Sequence, residues 1–240
     1  VIELSCDLGE AEDEAGIETE QRLWPMIHAA NVACGGHAGD ERSMRDAARR
    51  ARRHGITLGA HPSYPDRASF GRASMKIAPA ALRDSLVAQI AALRDIAALE
   101  GVELRRVKAH GALYNEAHRD EALAALLVEA MALIDPGLAV VAAETSRMAE
   151  AARARGVDIV REAFADRRYE PSGALVSRSR PDALLSVEEA ARQAALLAGE
   201  RRVIARDGSS LPVEFDTICI HADMERSLER LQAIRNVLFA

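Results

Sequence analysis

Residues 79–108 read PAALRDSLVAQIAALRDIAALEGVELRRVK. Pro79 suits the first turn of a helix, where its missing N–H has no partner to lose, and Gly101 closes the helical run. Arg106-Val107-Lys108 then reads as a strand, and upstream Thr57-Leu58-Gly59-Ala60 is another short apolar run. The stretch is therefore a strand–helix–strand crossover. The alternation continues in both directions. Towards the N-terminus, Val1–Leu4 reads as strand, Glu18–His28 as helix, Ala29–Cys34 as strand, and Asp40–His54 as a helix capped by Asp40 and ended by Gly55. Towards the C-terminus the helices are Asp120–Ile134, Ser146–Arg155, Ser186–Ala198 and Met224–Phe239. The strands there are Leu138–Ala142, Val157–Val160 and Thr217–Ile220, with a hairpin over Val203–Val213 turning at Asp207-Gly208. Strands alternating with helices make a parallel sheet, and about seven of them suit a closed (β/α) barrel; an open doubly wound sheet is the alternative. No linker, repeat or low-complexity segment intervenes, so residues 1–240 are read as one domain. Residues 163–180 are polar and aperiodic, the pattern of a long functional loop.

The bulk numbers exclude some roles. A net charge of -6 and a pI near 5.7 give no basic surface for nucleic acid. No apolar stretch is long enough to cross a membrane, and a signal peptide is not expected. Cys6, Cys34 and Cys219 are odd in number and form no C-x-x-C pair. A disulfide framework or structural zinc site is therefore not expected, and a reducing cytoplasm is.

In parallel α/β folds, ligands bind at the carboxyl ends of strands. Here those ends carry Cys6-Asp7-Leu8-Gly9-Glu10, then Cys34-Gly35-Gly36-His37-Ala38-Gly39-Asp40, then Gly59-Ala60-His61-Pro62. Further on they carry Lys108-Ala109-His110-Gly111, Arg161-Glu162-Ala163-Phe164-Ala165-Asp166-Arg167 and His221-Ala222-Asp223. Nearly every strand exits into His, Asp, Glu or Lys beside Gly or Ala. A ring of such groups at one rim supplies acids, bases or metal ligands. His28, His54 and His118 lie near helix ends and are read as structural; His37, His61, His110 and His221 follow strands and are read as functional. Asp40 and Asp223 each precede a helix, where capping competes with chemistry. Lys108 and His110 alternate along one strand, so both can face the barrel centre. The cysteines read as small core residues. There is neither a G-x-S-x-G elbow nor a G-x-x-x-x-G-K-[ST] phosphate loop.

These segments resemble the LamB/YcsF family, named for the A component of bacterial 5-oxoprolinase. The matching stretches are the Cys6–Glu10 run, Ala30-Asn31-Val32-Ala33-Cys34-Gly35, the His37–Asp40 run, Gly59–Asp66 and Phe70-Gly71-Arg72. They continue through Val107-Lys108, His110–Asn115, Glu162–Tyr169, Gly173–Val176 with Arg178, and Thr217-Ile218-Cys219 with His221. Their order is kept across almost the whole chain. The departures are Ser5 where the family has Asn, Gly36 where it has Phe, Ala109 where it has Pro, and Ala222 where it has Gly. The resemblance implies a fold like the glycoside hydrolase and polysaccharide deacetylase barrels. It also implies ATP-driven opening of the 5-oxo-L-proline lactam to L-glutamate, together with subunits B and C. Because no nucleotide loop is present, ATP is expected to be bound mainly by those partners.

A lactam amide is a poor electrophile because resonance stabilises it. Phosphorylation of its oxygen weakens that resonance, after which water can attack with help from a general base. The expected catalytic groups are Asp7, His37, His61, Lys108 and His110, with Lys108 stabilising charge. Asn31, Arg72, Glu162, Asp166, Arg167 and His221 are expected to bind substrate, with Arg72 or Arg167 gripping its carboxylate. Two rival readings stay open. One is a metal-dependent deacetylase or amidohydrolase with Asp7, His37 and His61 as ligands of a divalent ion. The other is a non-catalytic small-ligand-binding subunit.

Overall fold

The computed structural model describes residues 2–239, so Val1, expected to open the first strand, lies outside the described residues. Seven parallel strands close into a barrel in the order β1 (Glu3–Leu8), β2 (Ala29–Ala33), β3 (Thr57–His61), β4 (Leu104–Val107), β5 (Ala139–Ala142), β6 (Ile159–Phe164) and β9 (Thr217–His221). β1 pairs with both β2 and β9, which completes the ring and removes the open-sheet alternative. β7 (Arg202–Ile204) and β8 (Ser210–Pro212) form a separate antiparallel hairpin at the expected place. Among the described residues, no helix is long and apolar enough to cross a membrane.

Period-two alternation divides each barrel strand between two environments. Leu4, Cys6 and Leu8 of β1, Val32 of β2, Leu58 of β3, Val107 of β4 and Ile218 and Ile220 of β9 join the apolar core shared with the helices. Among the intervening residues, Ser5, Asp7, Asn31 and Thr217 are polar, buried and turned into the ring. Ser5 and Thr217 hydrogen-bond at 3.0 Å, and Asp7 stands in register with Asn31 on one side and His221 on the other. The barrel thus has an oily outside and a polar bore.

The helices are α1 (Glu14–Leu23), α2 (Glu41–His54), α3 (Pro79–Leu99), α4 (Gly111–Ala117), α5 (Glu121–Ile134), α6 (Arg147–Arg155), α7 (Val187–Glu200) and α8 (Ser227–Leu238). Asp40 accepts from Ser43 N–H at 2.8 Å in a capping box, and Gly55 and Gly156 end α2 and α6 in the left-handed conformation. Three expectations need correction. α1 begins at Glu14 rather than Glu18, because Asp13 caps it by accepting from Gly16 N–H, and it ends at Leu23, where Trp24–Met26 tighten into a 3-10 turn. Pro25 cannot supply the N–H that would carry an α-helix on to His28. α4 falls where no helix was expected. β1 and β6 run on to Leu8 and Phe164, so Asp7 and Glu162 lie within strands rather than after them.

Candidate active site at the carboxyl mouth of the barrel

Every residue singled out at a strand exit comes to the same end of the barrel. A cleft of about 380 Å³ opens there, lined among others by Asp7, His61, Lys108, His110, Arg167 and His221. Arg72 and Arg178 border it from the β3–α3 loop and the long loop after β6.

Lys108 is the centre of the polar bore. Backbone pairing persists past β4, with Lys108 N–H donating to Ala60 O at 2.9 Å and His110 N–H to Pro62 O at 2.8 Å. That keeps Lys108 and His110 on the inward-facing alternation. The ammonium group donates to Asp7 Oδ1 and Oδ2 at 2.9 and 3.0 Å and to Cys219 Sγ at 2.9 Å. It also lies 2.8 Å from Glu162 Oε1. Burial alone would favour a neutral lysine. Asp7, Cys219 and Glu162 outweigh it and hold the pKa well above the usual value. Asp7 is likewise kept ionised, since His61 and Lys108 overcome its desolvation. Asn31 and Glu162 do not line the cleft. Asn31 is fully buried and donates to Asp7 Oδ1 at 2.9 Å, while Glu162 sits behind Lys108. Both lie against the groups that face the cleft, because the inward faces of β2 and β6 put them one layer deeper.

Beside this pair lies a cluster of imidazoles. His61 Nδ1 is 2.8 Å from Lys108 O, and His110 Nε2 is 2.9 Å from Phe70 O. Since carbonyls only accept, both of these ring nitrogens carry protons. The other nitrogens, His61 Nε2 and His110 Nδ1, face each other at 3.0 Å. His37 stacks on His110 with centroids 3.6 Å apart and an interplanar angle of 3°. Burial pushes the His37 pKa down to about 4 and lowers that of His110 as well. For His61, burial is overcome by Asp7, and its pKa rises. Glu10 stands among the three rings, 2.9 Å from His37 Nε2 and 3.3 Å from His110 Nδ1. Asp7, expected beside His37 and His61, is bound to Lys108 and Asn31 and also lies 3.4 Å from His61 Nε2 through Oδ2. Glu10 follows β1 directly, and its position after a strand was the signal that could have marked it.

The backbone holds this cluster with some strain. Phe70 adopts φ 53°, a conformation L-residues rarely take, and its carbonyl is the acceptor for His110. A Cβ on Gly111 would lie 2.4 Å from Gly71 O, so the segment can press onto His110 only because both positions are glycine.

A second His–carboxylate pair faces the cleft from the opposite side. His221 Nδ1 lies 3.1 Å from both oxygens of Asp166, whose Oδ2 also accepts from His221 N–H at 2.7 Å. Asp166 is fully buried and kept ionised by His221 against its own desolvation. It fixes the proton on Nδ1 and leaves Nε2, 3.9 Å from Asp7 Oδ2, directed at the cleft. Asp166 thus lies behind His221 and is not among the residues lining the cleft.

The cleft is bordered by cations. Arg167 is buried, donates to Val176 O at 2.7 Å, and has its pKa lowered to about 10 by burial and by Arg178. Arg72 and Arg178 both bind the Asp223 carboxylate, Arg178 at 2.8 Å. Asp223 was left open between a helix cap and chemistry and Arg178 was given no role, because only closure of the barrel brings the loop after β6 to the loop after β9.

A (β/α) barrel with buried acid–base pairs in a small cleft at its carboxyl mouth has the site architecture of small-molecule enzymes on this fold. Residues 2–240 match the model of the LamB/YcsF family, and the chain belongs to that family. It is 44% identical over 240 residues to the 5-oxoprolinase A component of Chloroflexus aggregans, covering 100% of this chain and 95% of that one. It is 38% identical over 238 residues to the 5-oxoprolinase A component of Staphylococcus carnosus, covering 99% and 94%. The crystal structure of the lactam utilization protein from Thermus thermophilus superposes with a TM-score of 0.88 at 37% identity, covering 99% of this chain and 95% of that chain.

Proposed function

We propose that this chain is the A component of a 5-oxoprolinase and that its barrel mouth is where the lactam ring of 5-oxo-L-proline is opened to L-glutamate. The observation that carries the reading is the His221–Asp166 pair presented to a small cleft across from Asp7 and Lys108 and bordered by arginines. Support comes from full-length relatives named for that activity and from the lactam utilization protein sharing the fold.

The chemistry follows from the geometry. Arg72 and Arg178 already grip a carboxylate, that of Asp223, so an anionic substrate can exchange with it. Asp166 holds His221 in the tautomer whose Nε2 can take a proton from water as its oxygen bonds to the ring carbonyl carbon. The ring C–N bond then breaks, and the nitrogen takes up a proton, which His221 can return. Lys108 offsets the negative charge that gathers on oxygen in the transition state.

ATP supplies activation, by converting the carbonyl oxygen into a phosphate ester that weakens amide resonance. Opening of the activated ring consumes one water and leaves an acyl phosphate, and a second water releases phosphate. The chain has no G-x-x-x-x-G-K-[ST] phosphate loop, and the phosphorylating step is assigned to subunits B and C, with this barrel acting on the activated lactam. The cytoplasm, where ATP is held, is the matching compartment.

The test is glutamate release from 5-oxo-L-proline by this chain mixed with subunits B and C, with and without ATP. ATP-dependent release that stops when this chain is left out is the expected result. Release by B and C alone would remove the barrel from the reaction.

A further inference from the structure

We propose that Glu10, His37, His61 and His110 form a binding site for one divalent ion of the zinc class at the floor of the cleft. One ligand atom from each of the four residues falls within a sphere of mutual distances no greater than 4.8 Å, and all four residues are buried. The separations are 2.9 Å for Glu10–His37, 3.0 Å for His61–His110, 3.3 Å for Glu10–His110 and 3.7 Å for Glu10–His61. Ligands at zinc bond lengths in tetrahedral array stand about 3.3 Å apart, so these values bracket the required spacing.

Proton placement makes the same point independently. His61 and His110 each donate their outer N–H to a backbone carbonyl, the arrangement that orients metal-bound imidazoles. Their inner nitrogens are left 3.0 Å apart. Two lone pairs placed this way repel each other and Glu10 Oε1 unless a cation lies between the rings, a place that a divalent ion or a proton on His61 Nε2 beside Asp7 can fill.

The charge inventory of the bore points the same way. Lys108 pairs with Asp7 and Glu162, whereas the buried Glu10 carboxylate has only the imidazoles of His37, His61 and His110 within ion-pair distance. Buried charge needs compensation, and a divalent ion supplies it without a further side chain. Three imidazoles with one carboxylate select zinc-like ions over magnesium or calcium, which prefer all-oxygen shells. His61 and His110 line the cleft, so the ion would lie within reach of a bound carbonyl. None of this depends on the lactam assignment.

The experiment is titration of chelator-treated, dialysed full-length protein with Co²⁺ alone, read by its visible absorption, followed by competition with Zn²⁺, Mg²⁺ and Ca²⁺. One equivalent of Co²⁺ per chain, displaced by Zn²⁺ but not by Mg²⁺ or Ca²⁺, is expected. Glu10→Gln and His37→Asn should each weaken the affinity by tenfold or more, with folding checked by circular dichroism. If either variant fails to fold, the thermal midpoint of wild-type protein serves instead, because an ion bound only by the native state must raise it. Folded wild-type protein that takes up no Co²⁺ or Zn²⁺ would overturn the proposal and leave one proton shared between His61 and His110. Uptake unaffected by both variants would also overturn it. Since metal uptake and glutamate release are measured separately, each reading can fail without the other.

Discussion

Lys108 is paired on so many sides that its removal should be felt twice. Asp7 and Glu162 would face each other across the bore without their common counter-ion. Breaking a buried ion pair by deleting one partner costs about 3–5 kcal/mol. Lys108→Ala should therefore abolish turnover and lower the unfolding free energy by about that amount, as read by denaturant titration. Unchanged stability would show that Asp7 and Glu162 reach water when the lysine is gone. The cysteines make the opposite case. All three are buried, burial pushes the Cys34 thiol up to about 12, and burial beside Asp7 raises Cys219. A thiol reagent at neutral pH should label none of them in native protein and all of them after unfolding. At Gly36 an added Cβ would lie 2.4 Å from both Gln89 Oε1 and Ser63 Oγ. Gln89 pins Ser63 by accepting its N–H at 3.0 Å and donating to its carbonyl at 3.0 Å. The room a larger residue would need is thus filled by a buried amide from α3.

Among the elements, α1 does more than cover the barrel. Its Glu20 accepts three successive backbone N–H groups, from Gly9 at 2.8 Å and from Glu10 and Ala11 at 3.0 Å each. This fixes the turn that aims Glu10 at the imidazoles. Glu20→Ala should cost about 2–4 kcal/mol of stability, since each hydrogen bond to a charged group contributes about 1.5–3 kcal/mol before water replaces part of it. Asp40→Ala should cost only about 1 kcal/mol, the worth of an N-cap, and leave turnover unchanged. A large activity loss from Asp40→Ala would give that carboxylate a role beyond the cap. The capped helices were legible because their signals are local: Asp40 with Gly55, Ser146 with Gly156, Pro79 with Gly101. α1 was misplaced because Asp13 lies outside its apolar periodicity, and the stop is a proline inside the apolar run. α4 escaped because seven residues, opening at a glycine with φ 57°, give too short a pattern to register.

At the level of the whole molecule, strand ends were readable and the partnerships across them were not. The chemical residues after Ala60, Val107 and Ile220 mark the correct rim because parallel strands must all point the same way. Which residue meets which depends on the order of strands around the ring. β9 sits between β6 and β1, and that placement alone brings His221 to Asp166 on one side and Asp7 on the other. A sequence carries no local trace of this neighbourhood, so Asp166 and His221 read as two separate residues instead of one hydrogen-bonded pair. Asp223 is another such case, held by Arg72 and Arg178 from loops far apart in the chain.

The most direct test of the barrel mouth as the place of ring opening is the effect of His221→Ala on ATP-dependent glutamate release by this chain with subunits B and C. Losing a positioned general base should lower turnover by about 10²–10⁴-fold while the variant keeps its fold, and added imidazole should restore part of the rate. Full activity in a folded His221→Ala protein would contradict the assignment of this cleft as the place where the lactam is opened by a His221-bound proton transfer.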